Sequence, residues 1–177
     1  MTRVVARSAS TTFARLDHEG RPFRLGRYSD SWVVVGFVYT HCQSPTACPL
    51  TMSRMAGVQK LWDEEEAEDR TGGVDLLLLT LTFDAARDGP DALKAYGEMF
   101  GADFGSWTLA TGPDELMNDA LPALFGVLAL TFSGGQISHS VKVALLKPGL
   151  ELAAEWPDNA FEPADVVAEI LEPEGDP

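Results

Sequence analysis

The run Trp32-Val-Val-Val-Gly-Phe-Val-Tyr39 constrains this chain more than any other stretch. Every position except the glycine is β-branched or aromatic, with no polar face. A half-wet strand would alternate, so this run predicts a central strand buried on both sides. A second such run, Val74-Asp-Leu-Leu-Leu-Leu-Thr-Leu-Thr-Phe83, lies downstream. Between them Leu50, Met52, Met55, Val58, Leu61 and Trp62 recur at helical spacing to about Glu68, behind Pro49 at the first helical position.

The rest of the chain continues the alternation. Pro90-Asp91 starts a helix whose inner face holds Leu93, Tyr96, Met99 and Phe100, and Gly101 stops it. Trp107 to Ala110 reads as a short strand. A third helix is expected from Thr111-Gly-Pro-Asp114 to about Phe125-Gly126. Leu128 to Phe132, a Gly134-Gly135 turn and Val141 to Leu146 predict a hairpin. Leu150 to Glu155 predicts an edge strand, and Pro163 to Leu171 a last helix. Ahead of all these, Phe13 to Leu16 and Arg21 to Leu25 flank the turn residues Asp17-His-Glu-Gly20 as a short hairpin. The pattern predicts an α/β fold, a mixed sheet covered on both faces. One domain over 13–171 is expected, with a flexible segment at 1–12 and an acidic tail at 172–177.

A length of 177 residues suits one full core, and 45% apolar content excludes a disordered chain. A net charge of −14 repels phosphate backbones and argues against nucleic acid as a partner. It serves solubility, or attraction to a basic partner protein. No apolar run approaches the roughly 20 residues of a membrane span. Met1 to Thr12 carries Arg3 and Arg7 but no apolar stretch of a secretory signal. That leaves a cytosolic address, or an export or anchor segment outside this sequence.

Only two cysteines are present, Cys42 and Cys48. They are too few for a disulfide scaffold or a four-thiolate zinc site. Both lie between the first buried strand and its helix, the edge where open α/β sheets bind ligands. Cys48 stands at the helix start, where unpaired N–H groups are expected to favour its thiolate. Two thiolates suit Cu(I) or a redox disulfide, and an added imidazole makes a three-coordinate soft site. Inert buried cysteines are the alternative. Three histidines are available. His18 is expected as an exposed residue of a surface turn. His41 follows the strand next to Cys42 and is expected to point away from it. His139, in Ser138-His139-Ser140, precedes an apolar strand and has a structural reading as well as a ligand one. The residues alone leave the choice among them open.

Spread along the chain are Asp17-His-Glu-Gly-Arg-Pro-Phe23, Val35-Gly-Phe-Val-Tyr-Thr-His-Cys42, Cys48-Pro-Leu-Thr-Met-Ser-Arg54 and Leu81-Thr-Phe-Asp84. Arg87-Asp-Gly-Pro90, Lys94-Ala-Tyr96, Phe100-Gly-Ala-Asp103, Trp107, Thr111-Gly112, Phe125-Gly-Val127 and His139-Ser140 follow in order. In this order and spacing the chain resembles the Sco/SenC family. The resemblance implies a thioredoxin-like fold with an N-terminal hairpin extension. It implies copper, Cu(I) or Cu(II), held by Cys42, Cys48 and His139. It also implies delivery of copper or reducing equivalents to the binuclear copper site of cytochrome c oxidase, with the copper-bearing subunit or another copper or thiol protein as partner. An extracytoplasmic location follows from the same resemblance. Asp84 and Asp88 match acidic positions near the family site; locally they also read as turn-forming and capping carboxylates. The family spacing is three residues between the cysteines, whereas here there are five. Pro45 disfavours a helix through them, so a loop is expected to return Cys42 toward Cys48. Three other functions fit less of the pattern. These are a metal-free thiol–disulfide oxidoreductase using Cys42 and Cys48, a peroxidase echoed by Pro45-Thr-Ala-Cys48, and a binding module without chemistry.

Overall fold

The computed structural model describes residues 15–112, 125–127, 129–131 and 137–172. The strands are β1 (Arg15–Asp17), β2 (Pro22–Phe23), β3 (Trp32–Val38), β4 (Leu76–Thr82), β5 (Trp107–Thr111), β6 (Ala129–Thr131), β7 (Ile137–His139), β8 (Lys142–Lys147) and β9 (Glu151–Pro157). The described helices are α1 (Cys48–Ala67), α2 (Pro90–Met99) and α3 (Pro163–Leu171). The helix expected between Thr111 and Gly126 and the Gly134-Gly135 turn fall largely or wholly outside the described residues.

Seven strands form one mixed sheet in the order β2-β1-β5-β4-β3-β8-β9. β3, β4 and β5 run parallel, as buried apolar strands joined by helical crossovers must. β3 lies third from the β9 edge, inside the sheet, and Val33, Val34, Val35, Phe37 and Val38 are all fully buried. Gly36 brings α1 against it. A Cβ there would lie 2.5 Å from the Met55 sulfur. Since Gly36 faces α1, its neighbour Phe37 faces the opposite side. There its ring meets Phe83 at 6.2 Å and Phe125 at 5.4 Å. Across the sheet, the Trp107 indole donates to Thr80 Oγ1 at 2.9 Å, which pairs both of these buried polar groups. α3 packs on α1 at Gly57, where a Cβ would stand 2.6 Å from the ring of Pro163.

Three expectations are corrected. Met99, expected on the inner face of α2, is 78% exposed, and Gly97 takes the buried position beside Leu93 and Tyr96. Val141 to Leu146 does not pair with Leu128 to Phe132. β8 instead enters the main sheet between β3 and β9, while β6 pairs with β7, Ala129 opposite His139. The reason is burial. Val143 to Leu146 are all fully buried, and only an interior strand hides such a run. His18 is not exposed; it is 2% accessible. β1 leaves the ladder with β5 after Asp17 pairs with Ala110. The His18 ring takes over at the next rung, its Nδ1 accepting the Leu109 N–H at 3.2 Å, and it stacks on Phe104 at 4.1 Å. The turn beyond it follows its residues. Asp17 Oδ1 accepts the N–H groups of Glu19 and Arg21, and Gly20 supplies the positive φ of +72°.

Candidate metal centre

β3 ends at Val38 and its chain runs on through Tyr39 into the cysteine loop. The five residues between the cysteines do not form a helix. The Cys42 N–H bonds back to the Tyr39 carbonyl at 3.2 Å, and the Ala47 N–H to the Ser44 carbonyl at 3.2 Å. Two tight turns in succession therefore fold the loop, and Cys42 comes back over Cys48, the first residue of α1. Pro49 stands second in the helix, one place later than expected. His139 arrives from the end of β7. The thiol sulfurs of Cys42 and Cys48 and a ring nitrogen of His139 all lie within 4.8 Å of one another. Among the described residues this is the one group of three or more potential metal-ligating side chains.

Hydrogen bonding sets the state of the imidazole. His139 Nδ1 lies 3.1 Å from the Ser140 carbonyl. A carbonyl only accepts, so Nδ1 carries the proton. Nε2 then presents its lone pair to the Cys48 sulfur, 3.3 Å away. Burial pushes the His139 pKa below its ordinary value, keeping the ring neutral. Phe83, 4.6 Å away centroid to centroid, and Tyr39, edge-on at 5.6 Å, wall it in. Tyr39 is pinned in turn by donating to the Ile137 carbonyl at 3.2 Å. Beside the group opens a cavity of about 420 Å³ lined by Tyr39, Cys42, Gln43, Ser44, Ala47, Ile137, Ser138 and His139.

Cys48 departs from expectation. Its position at the start of α1 does not favour the thiolate. Burial, helped by the neighbouring Cys42, pushes its pKa well above the usual thiol range. The sulfur is fully buried, and the desolvation cost outweighs the helix N-terminus. In the metal-free protein it is a thiol donating to His139. A thiophilic cation entering here has to displace that proton.

His41 stays outside the group. Its side chain is 59% exposed, and its Nδ1 lies 2.9 Å from Thr40 Oγ1 and 3.9 Å from Asp88. Asp88 is fully buried and already engaged. It accepts from Thr40 N–H (3.0 Å), Thr40 Oγ1 (2.6 Å) and Thr82 Oγ1 (2.5 Å), tying the end of β3 to that of β4. Asp84 pairs with Arg87 three residues on. Both carboxylates act on the framework from these positions, and neither joins the ligand group.

The SCO1/SenC family profile matches residues 4–173. The chain belongs to the SCO1/SenC family. A relative from Stutzerimonas stutzeri named "Putative copper-binding protein" is 31% identical over 133 residues, or 75% of this chain. The chain spans 61% and 39% of the lengths of the curated relatives it matches. A SCO1/SenC family lipoprotein from Bacillus anthracis has a TM-score of 0.78 at 23% identity, covering 89% of this chain and 90% of its own. Yeast Sco1 with copper bound has a TM-score of 0.73 at 21% identity, covering 91% and 85%. The shared fold is the thioredoxin-like one, with a mixed central sheet and flanking helices.

One residue beside this SCO1/SenC site escapes sequence reading. Asn159, 3% exposed, sends its side-chain amide to the carbonyls of Thr46 and Ala47, at 3.1 and 3.2 Å. Its signal is local. In Pro157-Asp-Asn-Ala160 both central residues have positive φ, and the Ala160 N–H closes on the Pro157 carbonyl at 2.8 Å. Asp-Asn is suited to such a turn, but nothing in the spacing says which loop it meets.

Proposed function

We infer that this chain is a copper-binding metallochaperone that takes up Cu(I) through Cys42, Cys48 and His139. The observation that carries the reading is the convergence of two thiols and one neutral imidazole within 4.8 Å, with no carboxylate oxygen in the group. Two soft sulfurs and a nitrogen lone pair match Cu(I), while an oxygen-rich set would favour harder ions. The family and the copper-bound yeast relative support the same choice of cargo. The residues' parts follow from their setting. Cys42, half-buried at the cavity edge, meets the incoming ion first. Cys48 gives up its proton and holds the ion in the interior. His139, oriented by the Ser140 carbonyl, completes the set without rearrangement. In this reading the recipient is the binuclear copper site of cytochrome c oxidase, reached outside the cytoplasm. The lipoprotein relative supports that location, and the net charge of −14 suits a basic docking face.

Titration of the fully reduced protein with Cu(I), counting thiols before and after, tests the assignment. One equivalent should bind and protect two thiols. His139→Ala should weaken binding at least tenfold. Unchanged affinity in that variant removes His139 from the set, and two reactive thiols at saturation remove the cysteines.

The adjacency of the two sulfurs also supports a second reading, a thiol–disulfide oxidoreductase acting through Cys42 and Cys48 without metal. Turnover of a disulfide substrate that is indifferent to copper and to chelators would favour it over the first.

A further inference from the structure

We propose that Asn159 is a positioning residue for the cysteine pair, a clamp that holds the five-residue loop closed from the far end of the chain. The side chain works at three points. Its amide nitrogen donates to the carbonyls of Thr46 and Ala47, the two residues immediately before Cys48. Its Oδ1 accepts from Thr51 Oγ1 at 2.8 Å, on the first turn of α1. Its own backbone is gripped in turn, because Arg54 Nη1 donates to the Asn159 carbonyl at 2.5 Å and to that of Phe161. Arg54 also pairs with Glu162 at 2.7 Å.

The loop needs such a clamp for a physical reason. A helix of twenty residues starts at Cys48 with no side-chain cap on its first turn, and Ala47 at the cap position offers none. The loop before it makes only short internal turns. Five residues closed by turns alone would sample many arrangements, most with Cys42 away from Cys48. Asn159 removes that freedom by tying the Cys48 side of the loop to the turn between β9 and α3. Its left-handed φ of +55° is one that asparagine tolerates and most residues do not. The consequence is a high effective concentration of one thiol at the other.

The proposal rests on Cys42 and Cys48 being the working pair, and its test runs without metal. The reduced protein is equilibrated with glutathione disulfide. Both thiols together give up two electrons and two protons, one S–S bond forms within the protein, that of glutathione disulfide breaks, and two glutathione thiols leave. Asn159→Gly keeps the left-handed backbone and deletes the amide. It should lower the equilibrium constant for the protein disulfide about tenfold, a potential about 30 mV less negative. Asn159→Asp keeps the Oδ1 acceptor but not the donor, and should shift in the same direction. Gln59→Ala is the control. It breaks buried bonds to Asp103 and Ser106 away from the loop, and should lower thermal stability while leaving the constant unchanged. Folded Asn159 variants with the wild-type constant overturn the clamp, as does a Gln59 variant that shifts equally. A wild-type pair that will not oxidise contradicts the working-pair reading alone. The alkylation rate of buried Cys48 then decides the clamp: at least tenfold faster in Asn159→Gly supports it, and an unchanged rate sinks it.

Discussion

His18 is buried and His139 half-buried, each with an acceptor nitrogen already in use, and desolvation lowers the pKa of each. A histidine whose folded pKa lies below its unfolded value stabilises the fold above the unfolded value, near 6.5. That stability is lost as pH falls toward the folded pKa. The reduced protein should therefore lose urea resistance between pH 7 and pH 5. His18→Gln keeps an acceptor for Leu109 and cannot charge, so its urea midpoint should fall measurably less over the same interval. An identical slope would mean that His18 titrates as it does in the unfolded chain. His18 also shows why the exposed reading failed. Turn chemistry in Asp17-His-Glu-Gly20 was legible, but the vacant rung at Leu109 belongs to a strand about ninety residues on. No local pattern announces a side chain that finishes another strand's ladder.

At the level of elements, the contact of α1 with α3 sets two effects of opposite sign against each other. Gly57 sits inside α1, where alanine ordinarily gains up to about 1 kcal/mol. Here the added methyl would stand 2.6 Å from the Pro163 ring, and overpacking costs about 1–3 kcal/mol. Overpacking should win, so Gly57→Ala is expected to destabilise by about 1 kcal/mol in chemical unfolding. A stabilised variant would show that α3 yields easily. The strands and helices were largely legible, since β3, β4 and α1 carry unbroken apolar runs or a clear 3.6-residue period. The hairpin given to β8 was not. Two adjacent strand-like runs separated by glycines look like a hairpin, whereas the burial that draws β8 beside β3 is a property of the assembled sheet.

Across the whole molecule, the candidate centre joins a local pair to a remote ring. The cysteines and their edge position could be read from the chain, and the choice of His139 came from family resemblance. Nothing in its own surroundings singled it out, because its partners Phe83, Tyr39 and Ser140 converge only in the folded protein. Cys48 and His139 are 91 positions apart, while Cys42 is only six from Cys48. If these three residues hold the ion as proposed, so unequal a spacing divides the work between two states of the chain. An unfolded chain loses the imidazole but keeps both thiols near each other in sequence, so on the proposed function it should retain some affinity for Cu(I). Binding to the unfolded chain subtracts from any stabilisation by the ion. Loading with Cu(I) should then raise the melting temperature of the wild type only by what His139 and the closed loop contribute, and in His139→Ala the rise should be clearly smaller; an equal rise in the two would contradict this division. A copper carrier built this way would lose its shape before it lost all hold on its cargo.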